Sequence, residues 1–408
     1  MKALWTLSIF LVLIFFSRQA EAINGTNLIG FGPASRAMGG IGIGQPVGVD
    51  AVIKNPAFIR AEKELDVLVG MTHLFPSVKV ENKNAGLLGG VRKEVESEGD
   101  HFIAPAFGIT KNINDNWAFG IGAFGVSGLG VDFRDARENG IFALHTDLSL
   151  FKVAPGISYK HGDFYVGANL SILHGKFALA YSLDATNFTG PGASSDTGYG
   201  FDLGAGYNFK NWWAGINYQS PISLDYKHQL TEAAIDFTLT DVFLGNRIEQ
   251  PAEIGLGLGF SHEKVRVGLE YKKILWSEAQ TYQQAGWEDQ TVIALGVGYK
   301  FKKVEARIGY NHASHPLGAR AINNATSAAS NNRDAVNLFN LVAFPGTPES
   351  HITFGAGWEF SDNASLDAAY VIAPEVAEKT NFDAGAGSME IDMKHAQKSL
   401  TVGLNYHF

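Results

Sequence analysis

The sequence predicts an all-β fold: a fourteen-stranded antiparallel transmembrane β-barrel with an N-terminal hatch, or plug, inside its lumen. Three observations predict it. Segment after segment between residues 64 and 408 alternates apolar residues with Gly, small polar or charged ones, the period-two signal of strands with two unlike faces. Tight polar turns alternate with long polar connections along the chain. Residues 23–63, ahead of the first strand, do not alternate at all.

Composition narrows the alternatives. The 408 residues include no Cys, which excludes a disulfide scaffold, a thiolate nucleophile and a Cys-ligated metal centre. A formal charge of −9 with 18% charged residues does not supply the basic face that nucleic acid requires. A hydrophobic fraction of 46% excludes general disorder. His312 and His315 lie three apart near a strand end; in an extended strand they point to opposite faces, so shared metal ligation is not expected. No metal and no cofactor is expected elsewhere.

The N-terminus reads as a secretory signal peptide over residues 1–22: Met1-Lys2, an apolar run from Leu4 to Phe16, and the small-x-small site Ala20-Glu21-Ala22. The run falls short of the about 20 residues that a spanning helix needs. The mature chain then starts at Ile23 and leaves the cytoplasm.

The strands follow. Val265, Val267, Leu269 and Tyr271 alternate with Arg266, Gly268, Glu270 and Lys272; Ile254, Leu256, Leu258 and Phe260 alternate with Gly255, Gly257, Gly259 and Ser261. Residues 304–311, 352–360 and 399–408 repeat the pattern. One face is apolar and ends in an aromatic residue, as lipid contact with an interfacial girdle requires; the other, rich in Gly, fits a lumen. Only a closed barrel satisfies the strands' backbone groups within lipid. The expected site is therefore the outer membrane of a Gram-negative cell, in contact with bilayer and lipopolysaccharide.

Six tight turns, at 112–115, 161–163, 210–211, 262–264, 302–303 and 361–363, alternate with polar stretches near 83–100, 128–144, 184–196, 228–233, 277–289, 316–349 and 375–396. This is the arrangement of short periplasmic turns and long external loops. The count of fourteen strands over 64–408 treats 233–262 as one long strand interrupted near Asn246–Pro251. Residues 323–332, Asn-Asn-Ala-Thr-Ser-Ala-Ala-Ser-Asn-Asn, read as a low-complexity loop tip.

Residues 23–63 carry a helix-compatible stretch near Ala34–Met38 inside Gly30-Phe-Gly-Pro-Ala-Ser-Arg-Ala-Met-Gly-Gly40, then Val49-Asp50-Ala51, then Asn55-Pro56-Ala57. This pattern resembles the N-terminal hatch of the FadL/TodX family of hydrophobic-compound channels. Arg36, Gly39, Asp50, Asn55, Pro56 and Ala57 match the motif. The terminal Leu404-Asn-Tyr-His-Phe408 resembles the aromatic-ended signal of outer-membrane barrels, implying contact with the barrel-assembly machinery through Phe408. The resemblance implies a monomeric barrel that passes long-chain fatty acids or aromatic hydrocarbons by diffusion. It also implies sideways exit through an inward kink in the third strand, and an N-terminal segment that reaches the ligand pocket. Ile23, Leu28, Ile29 and Phe31 are the candidates for that reach, with hatch core as the other reading.

The kink has a trace of its own. Trp117, Phe119, Ile121 and Ala123 hold the apolar phase, Phe124 breaks it, and Gly125, Gly128 and Gly130 follow. A phase slip with clustered Gly signals a bulge or kink; a rim bulge is the alternative. Arg266, Lys272, Lys300 and Arg307 are expected to face inward. They fit either a ligand carboxylate or a salt-bridge network with Glu270, Glu305 and Glu359. Phe133, Ile141, Phe142 and Leu144, in the loop after the third strand, offer either a first-contact groove for apolar cargo or that loop's own core. Two rivals stay open: an outer-membrane lipase or phospholipase, for which no nucleophile elbow is visible, and a general porin or adhesin. The expected protein is not an enzyme.

Overall fold

The computed structural model describes residues 24–182, 188–237, 239–240, 243–317, 330–383 and 387–408. The signal peptide and Ile23 lie outside the described residues, as do residues 323–329 of the low-complexity tip; its last residues begin a helix, Ser330–Leu338.

One antiparallel sheet of fifteen strands closes on itself. The two-residue piece Val95–Glu96 is only an appendage on the first strand, and fourteen strands form the barrel. They are β1 (Leu65–Asn82), β2 (Phe102–Asn112), β3 (Trp117–Asp132), β4 (Leu144–His161), β5 (Phe164–Tyr181), β6 (Ser194–Phe209) and β7 (Trp212–Gln219). The second half comprises β8 (Glu253–His262), β9 (Val265–Ile274), β10 (Gln290–Phe301), β11 (Val304–Ala313), β12 (Ser350–Glu359), β13 (Ala364–Asp383) and β14 (Ser388–His407). Each strand pairs with its sequence neighbours, and β14 returns to β1 from Asp66↔His407 to Asn82↔Ile391. No edge is left unpaired along most of the wall, which is what a membrane-spanning sheet requires.

The faces follow the alternation. Leu256, Leu258, Leu269, Ile308, Phe354 and Leu404 are exposed on the outside. Trp117, Phe164, Trp212, Phe301, Trp358 and Phe408 mark the end with the short turns, at the level of the interfacial girdle. All six predicted tight turns are present; Lys210, Glu263 and Lys302 take positive φ there.

Three expectations are corrected. Residues 233–262 are not one strand. Gln229–Asp236 is helical, Arg247–Gln250 pairs with Ile222–Asp225 in a separate ribbon, and only Glu253–His262 joins the wall. The strand total survives because the region still supplies one wall strand. Residues 375–396 are not a loop. β13 and β14 run on as a hairpin, where Lys379 pairs with Asp392 across the two strands, Lys83 reaches the same Asp392 from the turn after β1, and Lys394 pairs with Glu94. Alternating charge reads as a loop in one dimension, yet opposite charges across a ladder stabilise it. Likewise β3 continues to Asp132, into the stretch read as loop from 128.

Candidate functional site

Residues 24–62 run inside the barrel. Pro33–Ala37 forms a short helix, α1, with Pro at its start; Ala51–Lys54 forms α2, and Pro56–Phe58 a 3-10 turn. The lumenal face of the wall is Gly-rich because this segment's backbone rests directly on it. A Cβ on Gly215 would lie 2.0 Å from the Ile43 carbonyl oxygen, one on Gly167 2.1 Å from that of Pro56, and one on Gly257 2.3 Å from the Gly44 nitrogen.

The motif residues fasten this segment. Arg36 is fully buried; its guanidinium donates to Gly30 O at 3.0 Å and Ser399 Oγ at 2.6 Å. Burial lowers its pKa to about 10. Gly39, at φ +73°, donates its N–H to Thr353 Oγ1 at 3.0 Å, and a Cβ there would meet the Tyr310 carbonyl. Asp50 accepts from the Gly32 N–H at 2.8 Å, and burial pushes its carboxyl up to about 7. Asn55 accepts from the Ala57 N–H and donates to Ile43 O at 2.8 Å, with Pro56 opening the turn between them. A wall residue completes the set: Glu270 Oε1 accepts the backbone N–H groups of Gly42, Ile43 and Gly44 at 2.6, 2.5 and 3.1 Å.

The third strand leaves the wall where its Gly cluster lies. β3 pairs with β2 only from Asn112↔Ala118 to Ala106↔Phe124. Its register on β4 slips between Gly125 and Ser127, so the bulged residue is Val126. Phe124 itself keeps the inward phase, as a large ring where Ala118, Gly120 and Gly122 precede it. Every residue from Val126 to Asp132 is buried. The N-terminal segment takes the place that β2 gives up: Leu28 donates to Val126 O at 3.1 Å, Gly128 donates to Thr26 O at 3.2 Å, and Asn27 bridges to Ser127. Gly125 packs tightly, since a Cβ there would lie 2.8 Å from that of Ala104. Beyond the departure, Phe102, Gly130, Asp132, Arg134 and His145 line a cleft of ≈ 260 Å³.

Leu28 and Phe31 enter this seam from the lumen. Leu28, Leu74, Phe102 and Ala104 form one apolar cluster, with Phe31 packed against it; Phe31 also faces the Phe124 ring at 6.1 Å. Ile29 points elsewhere, onto Val371. Upstream, Gly25 sits on a cage of Trp276, Tyr282 and Trp287 whose rings lie 4.5–5.0 Å apart.

Beside the seam is a small cavity of ≈ 50 Å³, bounded by Leu28, Phe31, Val126, Leu173, Ile222 and three ammonium groups. Lys272 Nζ pairs with Glu253 at 2.8 Å and Lys152 Nζ with Asp202 at 3.5 Å. Lys54, at the end of α2, donates to Ile29 O at 3.3 Å. Burial pulls the Lys54 ammonium down to about 8. The sequence reading did not single out Lys54 or the aromatic cage, and it assigned Glu270 to the salt-bridge network, whereas its Oε1 holds the backbone of residues 42–44. Only the adjacency of Lys54 to Asn55-Pro56-Ala57 could have drawn attention to it.

Arg266 and Arg307 lie elsewhere, in a vestibule of ≈ 470 Å³ at the end with the short turns. Both bind Glu305, and Arg307 also binds Asp367. Lys300 donates to Glu359 at 2.5 Å. These cations form the salt-bridge network; of the candidates, Lys272 alone lines the cavity near the N-terminal segment. At the opposite end, Phe142, Leu144, Leu179, Leu230, Phe243 and Phe339 are among the residues lining an apolar groove, while Phe133 and Ile141 are buried beneath.

A closed fourteen-stranded antiparallel barrel with a lipid-facing apolar belt and an occupied lumen defines an outer-membrane transport barrel. The chain belongs to the outer membrane protein transport protein family (OMPP1/FadL/TodX), whose family model matches residues 15–408. A curated relative, the 47 kDa outer membrane protein of Pasteurella multocida (strain Pm70), is 22% identical over 353 residues, 78% of this chain and 79% of that protein. Among solved structures, the Pseudomonas putida toluene transporter TodX superposes with a TM-score of 0.68 at 19% identity, covering 93% of this chain and 99% of that one. A Pseudomonas aeruginosa FadL homologue also gives 0.68, at 17% identity over 94% and 100%.

Proposed function

We propose that this protein passes hydrophobic small molecules, long-chain fatty acids or aromatic hydrocarbons, across the outer membrane by diffusion. In this reading residues 23–63 act as a hatch that stoppers the lumen. The cargo leaves sideways, through the seam where β3 departs from β2, into the bilayer. The single observation that carries this is the apolar cluster of Leu28, Phe31, Leu74, Phe102 and Ala104. It links the lumen to the seam and is filled by the chain's own N-terminal residues.

Straight passage is unfavourable. Below the hatch lies the charged vestibule of Arg266, Glu305, Arg307 and Asp367. Carrying apolar surface into that water costs about 25 cal/mol per Å², which the seam avoids. The solved relative named as a toluene transporter supports a hydrophobic cargo, and the apolar groove at the external end supplies a first contact. The barrel acts as a monomer, without catalysis, cofactor or metal, and Phe408 at its exposed terminus is the signal for assembly.

The test uses the absence of native Cys. Asn27 and Ser127 face each other across an antiparallel bridge, where Cα atoms lie roughly 4.5–5.5 Å apart, suitable for a disulfide. Asn27→Cys with Ser127→Cys, oxidised, should stop uptake of labelled oleate and toluene into proteoliposomes; reduction should restore it. Equal uptake in both states would show that the segment need not move and that the seam is not the exit. Release of fatty acid from phospholipid by the purified barrel would favour the lipase, and a large steady conductance in planar bilayers the porin.

A further inference from the structure

The outer face of the wall carries its lysines unevenly. In the external half of the barrel, Lys176 on β5 and Lys273 on β9 stand singly among outward residues, and Lys273 pairs with Asp289 at 2.9 Å. Where β14 meets β1, three gather: Lys79, Lys394 and Lys398 all lie on the outward phase of their strands. Lys79 and Lys394 are direct cross-strand partners. Like charges placed opposite each other weaken a ladder, so the arrangement calls for an anion.

The chain supplies only part of one. Lys394 pairs with Glu94 at 2.6 Å, and Glu375 and Glu81 lie within its electrostatic reach. Glu96 stands opposite Lys79 on the short piece appended to β1, but it accepts from Ser77 Oγ. The side chains of Lys79 and Lys398 make no ion pair or hydrogen bond among the described residues. Further out, Lys83, Arg92 and Lys379 share Glu81, Glu390 and Asp392. The outermost charges are thus paired with one another, and the surplus is positive at the edge that faces the membrane.

The height of these lysines fits a lipid head group. The exposed Tyr406 marks the short-turn end of β14, and a tilted strand crosses the hydrocarbon in about 9–11 residues. Counted from Tyr406, the external boundary falls between Lys398 and Lys394. Val67 pairs with Tyr406, which puts Lys79 level with Lys394. Below them the belt is apolar: Phe75 and Ile372 flank Lys398 across the strands, and Leu400 and Tyr370 follow. A lysine at such a margin lays its stem on apolar surface and lifts its ammonium into the polar layer.

We propose that Lys79, Lys394 and Lys398 form a binding patch for lipopolysaccharide, the phosphorylated glycolipid of the outer leaflet. A phosphate sits between Lys79 and Lys394 and relieves their repulsion, Lys398 meets it from the membrane side, and the acyl chains lie on Phe75, Leu400 and Tyr370. Phosphate suits the patch because its several oxygens accept from more than one ammonium at once. The patch is on the outside of the wall, so it stands whether or not the passage proposed above is correct.

Native mass spectrometry of the full mature barrel in detergent tests this with three lipids: bisphosphorylated lipid A, the same lipid A with its phosphates removed, and phosphatidylglycerol. Near a lipid surface each lysine contributes about a fivefold gain. The parent should therefore bind the bisphosphorylated lipid at least about tenfold tighter than either of the others. The triple variant Lys79→Gln, Lys394→Gln, Lys398→Gln should lose that preference, the corresponding triple Arg variant should keep it, and Lys176→Gln should leave it unchanged. If the triple Gln variant fails to assemble, Lys79→Gln with Lys398→Gln spares the pair with Glu94 and should still weaken binding about tenfold or more. A parent without the preference, or a Gln variant that retains it, overturns the patch and leaves three solvated lysines. Equal binding of phosphatidylglycerol, or an equal loss in Lys176→Gln, overturns lipopolysaccharide as its occupant.

Discussion

Near the short turns, Arg266, Glu305, Arg307 and Asp367 divide their charges among themselves; near the N-terminal segment, Lys54 is left with one carbonyl. Both groups lie inside the same barrel, the first partly buried on wall strands and Lys54 buried on the inner segment. The difference lies in completeness. Arg307 donates to Glu305 from Nε at 2.8 Å and from Nη2 at 2.6 Å, and Asn405 closes the free oxygen of Asp367 at 2.6 Å. Each charged side chain there has an opposite charge within the wall, although Arg266 Nε has no hydrogen-bond partner among the described residues, and the shared pairing stiffens the barrel. Lys54 has no such closure. A cluster that pairs its own charges is structure, and a buried charge left unpaired keeps a cost that pairing would remove.

This contrast can be broken in order of size. The largest effect is expected from Arg307→Met, which strands Asp367 and half of Glu305. Breaking one member of a buried pair costs about 3–5 kcal/mol, read as a lower denaturant midpoint for barrel unfolding. Glu270→Ala should come next. It leaves three backbone N–H groups without their acceptor, each worth about 1–3 kcal/mol when buried and unmet. The inner segment should loosen, and planar-bilayer conductance should rise above that of the parent.

The smallest effect should follow Lys300→Ala. Its pairing with Glu359 is half exposed, and such pairs contribute about 0–1 kcal/mol, so unfolding should shift little. A large loss there would mean that the vestibule network extends further than its buried members.

Much of the barrel was legible because lipid and water impose opposite demands on alternate residues. The period-two pattern at 254–260, 265–272 and 400–408 translates directly into outward Leu256, Leu269 and Leu404. Tight turns such as 262–264 were legible for a similar reason, since a polar break between two alternating runs leaves few alternatives. Residues 233–262 failed because a helix, a short ribbon and a wall strand share one apolar stretch. Residues 375–396 failed because paired charges look like loop until their partners across the ladder are known. The Gly cluster after Phe124 gave the place of the strand departure within two residues, though the bulge itself is at Val126.

By itself, the sequence determined the two faces of the strands, the closure of the sheet and the presence of an unalternating leader, because each is a local consequence of solvent on either side of the chain. Only the tertiary structure decided what that leader does. It seats residues 42–44 on Glu270, replaces β2 beside β3 with residues 26–28, and leaves Lys54 short of partners. Those are contacts between residues about a hundred or more positions apart in two of the three cases, and one-dimensional periodicity carries no information about which distant groups will complete a buried charge.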